Sequence, residues 1–159
     1  MLRITDNGNS EYVIIIRKNH SASEKTAAEE LAAYLKKITD AEIPVKTDDE
    51  KKTDHEIVIG FTNRGGKGKK ELGEEGFTIK TEGKRLFILG SEVRGALYGV
   101  YSFLEKCCGC RFYTDTCERV PQMNMLTVPE IDCTELPGFE YRNVYWFAQG
   151  GEMISAKLK

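Results

Sequence analysis

The residues best suited to chemistry are five cysteines, Cys107, Cys108, Cys110, Cys117 and Cys133, all in the last third of a 159-residue chain. Thiolates bind zinc and act as nucleophiles, so both roles are tested first. The spacing lacks the paired Cys-x-x-Cys of a structural zinc site. The two histidines, His20 and His55, lie far away in sequence. A cysteine nucleophile at Cys108 or Cys117 needs a basic partner, and neither histidine sits in a suggestive context. An odd count confined to one region also argues against a secreted disulfide scaffold. Buried free thiols are the better account, with no metal and no cofactor.

A second candidate is the glycine-rich basic loop Phe61-Thr62-Asn63-Arg64-Gly65-Gly66-Lys67-Gly68-Lys69-Lys70, which follows an apolar strand. Gly60 and Gly65 have phosphate-loop spacing, but Gly66 stands where lysine is required and no hydroxyl follows a Gly-Lys pair. No helical period begins here either, so no helix terminus faces a phosphate. The loop reads as a surface connection. The charged set Glu29, Glu30, Lys36 and Lys37 reads as the wet face of a helix, and Glu130, Asp132, Glu135 and Glu140 as linker charges. Tyr141, Tyr145, Trp146 and Phe147 are aromatics able to stack on a sugar or fill an interface.

The positioning elements follow from periodicity. Leu2 to Thr5 reads as a short strand, closed by the turn Asp6-Asn7-Gly8-Asn9. Tyr12 to Arg17 is a strand whose Val13-Ile14-Ile15-Ile16 is apolar on both faces, as in a central strand covered on each side or one covered by a helix and by a neighbour domain. Ser21 and Glu24 have capping-box spacing, and Ala27, Ala28, Leu31, Leu35 and Ile38 form the stripe of a first helix, bordered by Tyr34. Ile43 to Lys46 is a strand that Pro44 directs to an edge. A charged loop, Asp48 to Asp54, leads to a buried strand at Glu56 to Gly60. Phe77 to Lys80 and Leu86 to Leu89 pair as a hairpin through Glu82-Gly83. Ser91 is placed to cap a second helix with the stripe Val93, Ala96, Leu97, Val100 and Leu104, which Gly109 stops. Cys110 to Thr114 and Met125 to Val128 are further strands.

Gly95 and Gly99 lie four apart on the second helix. Each costs about 1 kcal/mol against alanine in a helix interior. Their missing side chains serve close packing, either onto the helix's own sheet or against another domain. The order of elements predicts an α+β fold with a mostly antiparallel sheet and two helices packed on one face.

Arg94-Gly95-Ala96-Leu97-Tyr98-Gly99-Val100-Tyr101-Ser102-Phe103-Leu104-Glu105, followed by Gly109-Cys110-Arg111-Phe112-Tyr113, resembles the second helix of the non-catalytic domain that precedes the barrel in bacterial beta-N-acetylhexosaminidases and alpha-glucuronidases. The resemblance runs from about Tyr12 to the C-terminus. It implies an accessory domain over residues 1–135, with a linker and the first strand of a truncated (β/α)8 barrel over residues 136–159. In such enzymes the catalytic acids lie on later barrel strands, so the resemblance implies no catalysis by this chain and a missing C-terminal catalytic barrel as its partner. Phe139-x-Tyr141-Arg142 is similar to a first-strand context whose arginine grips sugar hydroxyls, which makes Arg142 the substrate-binding candidate, although Asn143 replaces the usual glycine. Gly95, Gly99 and Trp146 are the domain-interface candidates. The function expected is structural support of a carbohydrate-processing glycoside hydrolase, with oligo- or polysaccharide met through the parent protein. A stand-alone carbohydrate-binding or protein-interaction module is the alternative.

Composition is consistent with these readings. A net charge of -2, with acids interleaved among the basic residues, gives no reason for nucleic acid as a partner. No apolar run approaches the roughly 20 residues that span a bilayer. Met1 to Asp6 has no apolar signal core, so the expected location is cytoplasmic, or secreted or periplasmic if a leader was removed. Exposed Val144, Trp146 and Phe147 in the tail would favour a homodimer.

Overall fold

The computed structural model describes residues 1–65, 70–114 and 116–138. In chain order the elements are β1 Leu2–Asp6, β2 Val13–Ile16, α1 Ala22–Thr39, β3 Val45–Thr47 and β4 Glu56–Ile59. A short 3-10 turn at Lys70–Leu72 precedes β5 Phe77–Glu82, β6 Arg85–Gly90 and α2 Gly95–Lys106. The last strands are β7 Arg111–Phe112, β8 Glu118–Arg119, β9 Met125–Val128 and β10 Asp132–Glu135.

Six strands form the main sheet in the order β10-β5-β6-β4-β2-β3. β2 is parallel to both β3 and β4, and β4 is parallel to β6. β5 runs against β6 and against β10. The sheet is therefore mixed, which corrects the expectation of a mostly antiparallel one. The reason is α1. Its 18 residues carry the chain back along the sheet, so β3 enters beside β2 in the same direction. Every main-sheet strand except β5 points the same way. Two small antiparallel pairs, β1 with β9 and β7 with β8, stand apart. The expected strand from Cys110 to Thr114 shrinks to the two residues of β7.

Both helices lie on one face, as expected. Ile14, Ile16, Ile57, Ile59, Ile79, Leu86 and Ile88 meet Ala27, Leu31, Leu35 and Ile38 of α1 and Ala96, Val100, Phe103 and Leu104 of α2. Each isoleucine, leucine, valine and phenylalanine among them, fully buried, contributes roughly 1.5–3 kcal/mol against exposure. Val13, Ile15, Val58, Phe87 and Leu89 form a second buried cluster on the opposite face. All four residues of β2 are buried, as its two-sided apolar run requires.

The first helix starts as its sequence dictates. Ser21 Oγ accepts from Glu24 N at 3.1 Å, and Glu24 Oε2 accepts from Ser21 N at 2.8 Å, which closes the capping box. Asp40 ends it at φ 59, donating its N–H to Lys36 O at 2.8 Å. The second helix starts later than expected. Its N-cap is Arg94, whose own side chain makes no cap bond. The Ser91 hydroxyl accepts from Gly95 N at a long 3.4 Å, as expected, and also donates to Glu74 O, which draws the β6–α2 connection toward the segment before β5. Val93 consequently falls outside the helix and is 45% exposed, so it leaves the buried stripe.

Candidate domain interface

The C-terminal ends of the parallel strands converge on Glu24, a carboxylate 1% exposed. Arg17, just past β2, donates from Nε to Glu24 Oε2 at 2.8 Å and pairs through Nη2 with Glu92, just past β6. Glu92 foremost, with Glu24, holds the Arg17 guanidinium above its ordinary pKa, against the opposing effect of burial. Ser21 Oγ donates to Glu92 O at 2.6 Å. Gly60, just past β4, has φ +69, and a Cβ there would collide with Glu24 Oε1 and lie 3.2 Å from its Cδ. Glycine is needed at this position both for the left-handed backbone and for the close approach. Three strand ends and one helix start are thereby tied into a rigid edge.

The same edge carries a stack of glycines. A Cβ on Gly99 would lie 2.7 Å from Ile88 Cγ2 and 3.2 Å from Phe77 Cβ. A Cβ on Gly95 would collide with Gly76 O and approach Gly90 Cα to 3.2 Å. Of the two readings of Gly95 and Gly99, the structure has the internal one: the space belongs to the helix's own sheet. Leu136 arrives at this stack from β10, its Cδ2 standing 2.7 Å from where a Gly76 Cβ would be.

The way out of the domain is firmly held. β10 pairs with β5 from Asp132 to Glu135. Thr134 and Thr78 hydroxyls bond at 2.8 Å, and Thr81 exchanges backbone and side-chain bonds with Ile131. Glu135 receives Lys106 from the end of α2, with Ser102 at 3.4 Å. Asp132 and Glu135 therefore belong to the sheet, which corrects their reading as linker charges.

The second buried carboxylate, Glu56, occupies the opposite end of β4 and is fully buried. Arg64 Nε stands 3.2 Å from its Oε1 and Arg85 Nε 3.3 Å from its Oε2, while Thr53 N donates to Oε1 at 2.9 Å. Arg64 also donates to Glu50 O at 2.5 Å and to Asn63 Oδ1 at 3.0 Å. The described part of the glycine-rich loop thus folds back onto the sheet through Arg64. Glu56 opens β4 and Gly60, against Glu24, lies just past its other end, four residues on and about 13 Å away at roughly 3.3 Å per residue. A glycosidase pair works roughly 5–10 Å apart on one sugar. Glu24 and Glu56 bind different strand ends to different arginines and share no cleft.

Burial raises the thiol pKa of Cys107, pushes Cys110 up to about 11 and drives Cys108 well above the usual range. That direction opposes nucleophilic or metal-binding use. No group of three or more metal-binding side chains comes together among the described residues. No helix among them is long and apolar enough to cross a membrane.

Glu30 and Lys37 do more than face water. Tyr101 OH donates to Glu30 Oε2 at 2.8 Å, Tyr34 OH donates to Glu118, and Lys37 joins Glu118 at 3.0 Å. Both rings meet Phe112 edge-on, at 5.5 and 5.4 Å between centroids. Burial first, then these carboxylates, pushes both phenols upward. The cluster fastens the β7–β8 hairpin across the two helices. A polar groove of about 480 Å³ runs along Arg3, Ile4, Asp6, Asn7, Asn9 and Glu11 and presents no aromatic stacking face. Arg142, Trp146 and the neighbouring Tyr141, Val144, Tyr145 and Phe147 lie outside the described residues, as does Glu140. Sequence reasoning found Glu24 as a cap but missed Arg17, Glu92, Glu56 and Arg64 as partners. The only local signal was a glutamate opening an apolar strand at Glu56.

The family described as glycosyl hydrolase family 67 N-terminus matches residues 3–103. No curated protein sequence matches the chain. Among solved structures, the fold recurs in BtGH115A, a family GH115 4-O-methyl-alpha-glucuronidase with specificity for decorated arabinogalactans. The TM-score is 0.61 at 15% identity, covering 89% of this chain and 19% of that one. It recurs also in the GH20 beta-N-acetylhexosaminidase from Streptomyces coelicolor A3(2), with TM-score 0.61 at 17% identity, over 89% of this chain and 24% of that one. At these identities the likeness is one of fold, and the chain spans under a quarter of either enzyme.

Proposed function

Because the chain belongs to the glycosyl hydrolase family 67 N-terminus family, we propose that it is a non-catalytic accessory domain of a carbohydrate-processing glycoside hydrolase. It stands beside the enzyme's catalytic barrel, helps to shape one rim and performs no bond cleavage itself. The observation that carries this reading is the match over residues 3–103, which spans α1, β2 to β6 and most of α2. The geometry agrees with it. The two buried carboxylates are tied to arginines at opposite ends of one strand, and the buried thiols are held protonated. A (β/α)8 barrel builds its active site from the C-terminal ends of eight strands, so the catalytic acids belong to sequence beyond this chain. In this reading Arg142 meets sugar only within the completed barrel, and Trp146 serves the domain interface.

The test combines the downstream reading frame with turnover of chromogenic aryl glycosides. A barrel-encoding continuation is expected, with hydrolysis by the complete protein and none by residues 1–159. Hydrolysis by the 159-residue chain that disappears on a substitution within residues 1–138 would overturn the assignment.

A further inference from the structure

The main sheet leaves one edge conspicuously prepared. β2, β4, β6 and β10 all end there, because β5 alone runs the other way. Most large apolar side chains of these strands are buried, yet the residues just past three of the ends are not. Phe61 follows β4 and is 41% exposed, Val93 follows β6, and Leu136 follows β10 at 55%. Charged groups surround them: Lys18 and Glu92 are more than half exposed, and Arg94 pairs with Glu75 at 2.9 Å. Beneath them the ties among Arg17, Ser21, Glu24 and Glu92, and the contact of Gly60 with Glu24, hold the edge in one arrangement. A surface already ordered loses little entropy on docking.

We infer that this edge, carrying Phe61, Val93 and Leu136, is the surface on which the catalytic domain that follows the chain docks. The inference rests on the reading of the chain as an N-terminal accessory domain. What selects the occupant is the exit. Leu136 leaves β10 against Gly76, inside the glycine stack that also holds Gly90 and Gly95. Pro137 and Gly138 follow at once, so a domain attached there meets this edge first. A short connection gives a high effective concentration, and a mixed apolar and charged patch matches the polar character of interfaces within one chain. The partner surface is a small apolar patch with a charged rim.

Hydrogen exchange compares the complete protein with residues 1–159. The amides of residues 61–65 and 91–94 are expected to exchange at least about tenfold more slowly in the complete protein. Phe61→Glu with Val93→Glu should restore fast exchange there and speed proteolytic cleavage near Gly138 by a similar factor. Both positions are exposed, so the same pair should leave the melting temperature of the 159-residue chain unchanged. Val45→Glu, at the start of edge strand β3, should change none of these readouts. Equal exchange in the two proteins overturns the inference, as does protection confined to the outer face of α1. A concentration-dependent dimer of the 159-residue chain, abolished by the double substitution, gives the edge to a second copy and also overturns it. A reading frame with no catalytic domain sinks the proposed function, whereas an active complete enzyme with unprotected edge loops sinks the docking edge alone.

Discussion

Replacing Gly95 or Gly99 with alanine sets two effects of known size against each other. Alanine stabilises a helix interior by about 1 kcal/mol over glycine. Extra atoms in a filled core cost roughly 1–3 kcal/mol. At Gly99 the new methyl would meet Ile88 Cγ2 at 2.7 Å and Phe77 Cβ at 3.2 Å, both side-chain atoms that can yield a little. A penalty of about 2 kcal/mol, offset by about 1, leaves a loss near 1 kcal/mol. At Gly95 the obstacle is backbone. Gly76 O and Gly90 Cα cannot move without disturbing β5 and β6, and Gly76 N is itself bonded to Leu72 O at 2.9 Å. Gly95 is also the first residue of α2, where the propensity gain is smaller. The net loss is about 3 kcal/mol. For a chain of this length 1 kcal/mol lowers the melting temperature by roughly 2–4 °C. Calorimetry should therefore show a fall of about 2–4 °C for Gly99→Ala and about 6–12 °C for Gly95→Ala. Ile88→Leu removes the Cγ2 methyl, so in a double-mutant cycle it should recover at least about 0.5 kcal/mol of the Gly99→Ala loss. If both alanines raise the melting temperature, helix propensity outweighs packing and the glycine stack is not what holds α2 to the sheet.

Glu56→Gln keeps the shape and removes the charge that Arg64 and Arg85 face, leaving Arg64 buried without its counter-ion. Breaking a buried pair this way costs roughly 3–5 kcal/mol, or about 6–20 °C, and pairing it with Arg64→Met should recover part of the loss. A fall under about 2 °C in thermal unfolding would contradict the buried-pair account. The cysteines give a pH dependence. Cys110 titrates near 11 when folded, against 9.0 for an ordinary thiol. Between those values the unfolded chain releases a proton that the folded chain keeps, so the contribution to stability is whole below pH 9 and lost as pH rises through 11. A thiol reagent at pH 8 should label exposed Cys117 rapidly and leave Cys108 and Cys110 unlabelled until denaturant is added, and fast labelling of all five would refute the burial.

What the sequence makes legible is what is local. Ser21 and Glu24 are three residues apart, and the bonds they form are those that their spacing allows. The Glu82-Gly83 turn is legible for the same reason, with Gly83 at φ +58. Ser91 is legible in part: its hydroxyl accepts from Gly95 N at 3.4 Å, but no nearby pattern announces its bond to Glu74 O. Val93 matches the stripe by spacing, but the helix begins two residues after it. Strand direction is invisible to periodicity, since a parallel and an antiparallel strand alternate alike, and only α1 read as a crossover would have revealed it. The Glu56 cluster draws on three loops and strands, so one glutamate in an apolar run is all that the sequence displays.

The direction of the strands also decides where the domain can act. In a strictly alternating sheet of this order, β4 would end at the opposite edge from β2 and β6, and Gly60 could not lie against Glu24. With α1 returning the chain to the starting edge, the parallel strands deliver Arg17, Gly60 and Glu92 to one place, around a single carboxylate that also starts the helix. β10, added beside β5, brings the exit to that place as well. Glu24→Gln should therefore loosen the β4–β5, β6–α2 and β2–α1 connections together, seen as faster exchange of amides 17–21, 60–65 and 91–94 in one cooperative step. Loosening of the helix start alone would reduce Glu24 to a cap and leave the edge without a common anchor.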